Sequence, residues 1–146
     1  MFKSIVVGVD GSPTAQEALR RAAGLAETTG AELHVVCAYQ GASIIAVDPI
    51  GVAALGAGGT EALKEAADDV LRSATRSAGD RGVTIQTHAV EGEASDALID
   101  VAEGMNCDLI VVGSRGMRGG KRLLLGSVPN RVAHHAGRDV LIVYTA

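Results

Sequence analysis

Five short apolar runs recur along the chain, each separated from the next by a stretch with helical periodicity, and this alternation restricts the fold more than any other feature. The runs are Ile5–Val9, Leu33–Ala38, Val83–Val90, Leu109–Gly113 and Val140–Tyr144. The first and fourth, IVVGV and LIVVG, are continuous rather than alternating, as expected for strands covered on both faces. Strands that alternate with helices imply a parallel sheet, right-handed crossovers and helices on either side. With 146 residues, the chain reads as a single domain spanning 1–146.

The helical stretches carry their own punctuation. Ser12-Pro13 supplies a capping hydroxyl and a proline at the first helical position. Ala15, Leu19, Ala22, Ala23 and Ala26 then mark one face, and Gly30 stops the helix. Thr60 is read as the cap of the next helix, whose apolar positions Leu63, Ala66, Ala67, Val70, Leu71 and Ala74 give the clearest amphipathic signal in the sequence. Ser95 opens a shorter helix ended by Gly104, and a last one runs from about Ser127 to Ala136. Residues 40–59 form a Gly-rich loop; loops of that length serve as lids, partner surfaces or mobile segments.

In the common flavodoxin-like arrangement of five such strands, the first and fourth are expected side by side. Ligands of doubly wound sheets bind outside the carboxyl ends of the strands, where the chain leaves two neighbours in opposite directions. Two loops should line that crevice, Asp10-Gly11-Ser12 and the segment beginning at Gly113.

Charge points to the same place. The net charge is −4, yet residues 1–110 hold 7 basic and 16 acidic side chains, whereas residues 111–146 hold 6 basic and 1 acidic. Much of the excess falls in Gly113-Ser114-Arg115-Gly116-Met117-Arg118-Gly119-Gly120-Lys121-Arg122, which leads to Gly126-Ser127 at a helix start. Gly113, Gly116 and Gly126 let backbone approach a ligand, and the helix start offers free N–H groups and the positive end of a dipole. The Ser127 hydroxyl can cap the helix or bind a phosphate oxygen. Arg115, Arg118, Lys121 and Arg122 add charge, although the last three also fit a solvated loop. The pattern describes an anion site suited to phosphates. It is not a Walker A loop, and Gly8-Val9-Asp10-Gly11 lacks the spacing of a dinucleotide fingerprint. Asp10 would repel phosphate, which leaves two readings: an acceptor for a ribose or base edge, or a turn aspartate bonded to the backbone of Gly11-Ser12.

Several classes of function are disfavoured. Aromatic residues make up 2% of the chain, too few for a base-stacking nucleic-acid module. No transmembrane stretch or signal peptide is evident, and Cys37 and Cys107 read as buried free thiols, so a cytoplasmic protein is expected. His34 and His88 stand alone in strand-like runs and read as structural. His134-His135 project about 100° apart on a helix end and do not make a natural metal pair. Glu91-Gly92-Glu93 reads as an acidic turn. No nucleophile–base pair or acid–base dyad stands out, so no catalytic residues are assigned.

Gly113-x2-Gly116-x9-Gly126-Ser127 resembles the G-2x-G-9x-G-[S/T] motif of the ATP-binding branch of the universal stress protein family. The opening IVVGVDGS, the segment VVGSRG and the closing DVLIV are similar to the same family, so the resemblance covers essentially the whole chain. It implies an adenine nucleotide alpha hydrolase-like three-layer sandwich. It also implies that Asp10 contacts adenosine, that backbone at Val9 and Ala38 borders adenine, and that Gly113 lies near the ribose. Arg115, Gly116, Gly126, Ser127 and Val128 would hold phosphates. The implied ligand is ATP, with or without Mg or Mn, and the alternative is cyclic AMP, whose single phosphate Ser114-Arg115 could take. The resemblance further implies a homodimer through the last strand, near Val140 to Tyr144, and a role in stress survival rather than a dedicated reaction. A nucleotide-independent interaction module and a weak ATPase or kinase are the other readings.

Overall fold

In the computed structural model, residues 1–40, 59–115 and 125–145 are described. They form β1 (Ser4–Gly8), α1 (Pro13–Thr29), β2 (Glu32–Tyr39), α2 (Gly59–Ala78), β3 (Ile85–Glu91), α3 (Ala94–Gly104), β4 (Leu109–Gly113), α4 (Ser127–His135) and β5 (Asp139–Val143). All strand pairs are parallel, in the order β3-β2-β1-β4-β5. The expected five-stranded α/β sheet is present, and β1 and β4 are neighbours as anticipated. The order is that of a Rossmann-like, adenine nucleotide alpha hydrolase-like sheet, which corrects the flavodoxin-like expectation: the flavodoxin order sets β1 beside β3, and the β1–β4 neighbours belong to the Rossmann-like order.

Each central strand is buried on both sides, which explains the unbroken apolar runs. Ile5 and Val7 of β1 face one layer, made by α1 and α2, while Val6 faces the other, made by α3 and α4. Alanines dominate the buried stripe of α1 (Ala15, Ala18, Ala22, Ala23, Ala26, with Leu19), so that helix can lie close to the sheet. Fully burying one such leucine contributes roughly 1.5–3 kcal/mol. The outer strands β3 and β5 are only partly covered.

The punctuation of α1 is as predicted. Ser12 Oγ accepts the Ala15 N–H at 3.2 Å, Pro13 starts the helix, and Gly30 ends it at φ 74°. Two helix starts differ. Thr60 lies inside α2 rather than capping it, and Ala66 is exposed; the buried stripe is Ala67, Leu71, Ala74 and Ala78. The cap of α3 is Glu93, whose carboxylate accepts the N–H groups of Ser95 and Asp96, so Ser95 falls within the first turn. A longer side chain reaching back from the preceding turn does what a short hydroxyl was expected to do.

Candidate functional site

The crevice begins where β1 and β4 end. Beyond β1, Val9 donates its N–H to Val36 O at 2.8 Å, which extends the β1–β2 pairing by one step before the chain turns. Asp10 is exposed, and its Oδ1 accepts the Ser12 N–H at 2.9 Å. The turn-aspartate reading is therefore realised, and it holds the carboxylate at the carboxyl end of β1. Ala38 sits near the end of β2, in register with Val90, and packs against the α3–α4 layer.

Beyond β4, the backbone of Gly113, Ser114 and Arg115 is held on every side. Thr14 Oγ1 donates to Arg115 O at 2.7 Å, tying the start of α1 to this segment. Gly126 N–H donates to Ser114 O at 2.9 Å, tying it to the start of α4. Both glycines are needed for these approaches. A Cβ on Gly113 would stand 3.2 Å from Thr14 O, and one on Gly126 would stand 3.2 Å from Ser114 O, in each case against backbone.

Helix α4 has an unusual beginning. Gly126 is its N-cap and provides no side-chain bond, and Ser127 is the first helical residue with its side chain exposed. Ser127 therefore does not cap the helix. Pro129, at the third helical position, has no N–H to offer. The Ser127 and Val128 amides have no acceptor among the described residues. Two bare N–H groups at the positive end of a helix dipole form a ready anion cradle.

Arg115 provides a second sign of the same chemistry. Its Nη2 is shielded from solvent, with no hydrogen-bond partner among the described residues. A buried, unpaired guanidinium nitrogen is costly unless something anionic completes it. Ser114, by contrast, is committed internally. It is buried, and its Oγ accepts the Thr145 N–H at 3.1 Å, so it does not sit free to take a cyclic phosphate.

Of the residues singled out from sequence, Val9, Asp10, Gly113, Arg115, Gly126, Ser127 and Val128 fall at the β1 and β4 ends or the α4 start. Ala38 lies one strand over. Gly116, Arg118, Lys121, Arg122 and the 41–58 segment lie outside the described residues. Sequence reasoning missed Thr14 and Thr145, whose hydroxyls tie this segment to α1 and to the chain beyond β5. Their spacing carries no signal, since each acts on a residue about 100 or 30 positions away.

Surrounding groups set the electrostatics. Burial, then the charges of Asp10 and Asp68, push the Cys37 thiol up to about 11, so it stays protonated behind the crevice. Glu93 is pulled both ways. Burial raises it, but the bonds from Ser95 and Asp96 and the Arg131 charge outweigh that and hold it below its ordinary value. Arg131 of α4 lies 3.6 Å from both Glu93 and Asp96, which bridges the starts of α3 and α4. A cavity of about 250 Å³ between α1 and α2 shares Val9 and Gly11 with the crevice and is walled by Ala15, Leu19, Val70 and Ala74.

One histidine expectation changes. His34 and His88 are not alone: His34 Nδ1 and His88 Nε2 lie 2.9 Å apart across β2 and β3. His134 and His135 are both exposed at the end of α4, as expected. Among the described residues, no group of three or more His, Cys, Asp or Glu could hold a metal, and no helix is long and apolar enough to cross a membrane.

Residues 1–144 match the model of the universal stress protein family. The chain is 36% identical over 147 residues to universal stress protein Rv1636 of Mycobacterium tuberculosis, covering 99% of this chain and 97% of that protein. Among solved structures, a universal stress protein in complex with cAMP is 34% identical, with TM-score 0.71 over 99% of this chain and 98% of that one. The universal stress protein UspA from Lactobacillus plantarum, at 24% identity, has the same fold, with TM-score 0.79 over 97% of each chain.

Proposed function

The chain belongs to the universal stress protein family, and from that premise we propose that it binds an adenine nucleotide in the β1/β4 crevice and acts through occupancy rather than turnover. The observation that carries this reading is that, among the described residues, the Ser127 and Val128 amides and the shielded Arg115 Nη2 all lack an acceptor, with the Arg115 Cα 3.5 Å from where a Gly126 Cβ would stand. These are donors without acceptors, and phosphate oxygens are acceptors without donors. Gly113 and Gly126 keep side chains out of the way.

In this reading the phosphates lie at the start of α4 and the nucleoside lies towards β1 and β2. Asp10 would accept from the ribose or the base edge, and Val9 and Ala38 would border the adenine. With so few aromatic residues in the chain, the base would be held by aliphatic walls and backbone. ATP is the ligand we favour, because three phosphates would use the arginine, the amides and the basic stretch together; a Mg or Mn ion would offset part of their charge. Cyclic AMP is the second reading, supported by the 34% identical relative crystallised with it. The protein is proposed to be a cytoplasmic, single-domain sensor that dimerises through β5 and the residue after it, where Leu141 and Tyr144 are 39% and 67% exposed.

A thermal-shift series with ATP, ADP, AMP and cyclic AMP tests the reading, because a ligand that binds only the folded state stabilises it by RT ln(1 + [L]/Kd). A rise in Tm with ATP exceeding that with AMP supports the triphosphate site, and the largest rise with cyclic AMP supports the second reading. No rise with any of the four overturns both.

A further inference from the structure

The anion cradle is built on a residue whose position is set from beyond β5. Ser114 is fastened by all of its polar groups. Its N–H donates to Val143 O at 2.9 Å, its Oγ accepts the Thr145 N–H at 3.1 Å and lies 3.2 Å from Thr145 Oγ1, and its carbonyl accepts the Gly126 N–H at 2.9 Å. The hydroxyl pair is buried, with Ser114 8% and Thr145 7% exposed. Gly126 is in turn the N-cap of the helix whose first two amides are bare. The links form one line: Thr145 holds Ser114, Ser114 holds Gly126, and Gly126 sets where the Ser127 and Val128 N–H groups stand.

We infer that Thr145 is a positioning residue for phosphate binding, acting through the buried Ser114–Thr145 hydroxyl contact although it touches no ligand. This rests on the proposed nucleotide site. The physical case is that the buried Ser114 hydroxyl meets both the Thr145 N–H and Thr145 Oγ1; without Oγ1 it keeps only the backbone bond, and one side of a buried hydroxyl is left unpaired. Any backbone adjustment of Ser114 that re-pairs this group carries Ser114 O with it, and Ser114 O holds the Gly126 N–H at the helix cap. Binding to an anion cradle depends steeply on the placement of its donors, so a small displacement costs phosphate affinity before it costs the fold. The contact also ties the crevice to the end of β5, so a change at that edge is transmitted to the cradle by two hydrogen bonds.

The test compares Thr145→Val, which keeps shape and loses the hydroxyl, with Thr145→Ser, which keeps the hydroxyl. Affinities for ATP and AMP are measured by calorimetry on the full chain, with adenosine tested by competition, and Tm reports the fold. The expected result is a loss of about fivefold or more for ATP and AMP in the valine variant, the weight of one hydrogen bond, with adenosine competition unchanged and serine restoring wild-type affinity. Ser114→Ala, which keeps the backbone bonds, should show the same pattern and stands in if the valine variant fails to fold. Wild-type ATP affinity in both Thr145→Val and Ser114→Ala overturns the inference, as does equal weakening of adenosine and ATP. If wild type binds cyclic AMP but neither ATP nor AMP, the same comparison is made with cyclic AMP; if it binds none of the four nucleotides, the nucleotide reading itself fails and the inference falls with it.

Discussion

Thr14 Oγ1 donates a 2.7 Å hydrogen bond to the carbonyl oxygen of Arg115, 101 positions away, and so joins the first turn of α1 to the segment after β4. The same hydroxyl lies 3.1 Å from Ser12 Oγ, the cap of α1. One short side chain thereby fixes the distance between the two walls of the crevice. Thr14→Val keeps the shape and removes the bond, so it should cost about 1 kcal/mol and lower Tm by roughly 2–4 °C. Nucleotide affinity should fall several-fold, measured by calorimetry beside the melting curve. An unchanged affinity with a lowered Tm would make this bond purely structural.

Gly126→Asp separates helix stability from anion binding. The native φ of −61° suits any residue and aspartate is a favoured N-cap, so α4 should persist, although the new Cβ would stand 3.2 Å from Ser114 O and the cap must yield by a few tenths of an ångström. The new carboxylate would occupy the bare amides and place negative charge where phosphate is to approach. We expect circular dichroism close to wild type and loss of measurable ATP binding. Retained ATP affinity would move the site elsewhere.

The histidine pair makes stability depend on pH. Burial first, and then the neighbouring His34, lower the pKa of His88, while Glu32 works the other way. A histidine whose folded pKa lies below its unfolded value binds fewer protons when folded, so the unfolded state gains as pH falls. The contribution is complete above about 6.5 and is lost as pH drops through the folded value. Tm should therefore decline between pH 7 and pH 5, and His88→Leu should flatten that decline. An equally steep decline in the variant would assign the effect to other groups.

The β5 edge yields a prediction about assembly. Leu141 is 39% exposed on an edge strand whose outer backbone groups are available for pairing. Leu141→Asp should convert a dimer to a monomer in sedimentation with Tm little changed, since the side chain contributes little to the core. A wild-type monomer at high concentration would rule out this interface.

Much of the fold can be read in the sequence because burial on both faces leaves a plain mark. The runs IVVG and LIVVG become β1 and β4 almost residue for residue, and Ser12-Pro13 and Gly30 bound α1 as capping chemistry requires. Gly113 and Gly126 are legible because a Cβ at either would stand 3.2 Å from a backbone oxygen. Glu93 was not legible as a cap, because a glutamate in an acidic turn has the same composition as one bonded to two amides. Thr14, Thr145 and the contact between His34 and His88 were hidden for a different reason. Each depends on which strands become neighbours, and local pattern does not encode distances between residues far apart in the chain.

Amide chemical-shift mapping by NMR on ATP titration locates the ligand. A nucleotide in the β1/β4 crevice should give the largest, saturable shifts at Ser127, Val128, Gly126, Arg115 and Gly113, with smaller ones at Val9 and Asp10, and none at the far end of the sheet around Glu32 and Thr84. Saturable shifts confined to residues away from the β1 and β4 ends, or no shifts at millimolar ATP, would contradict it.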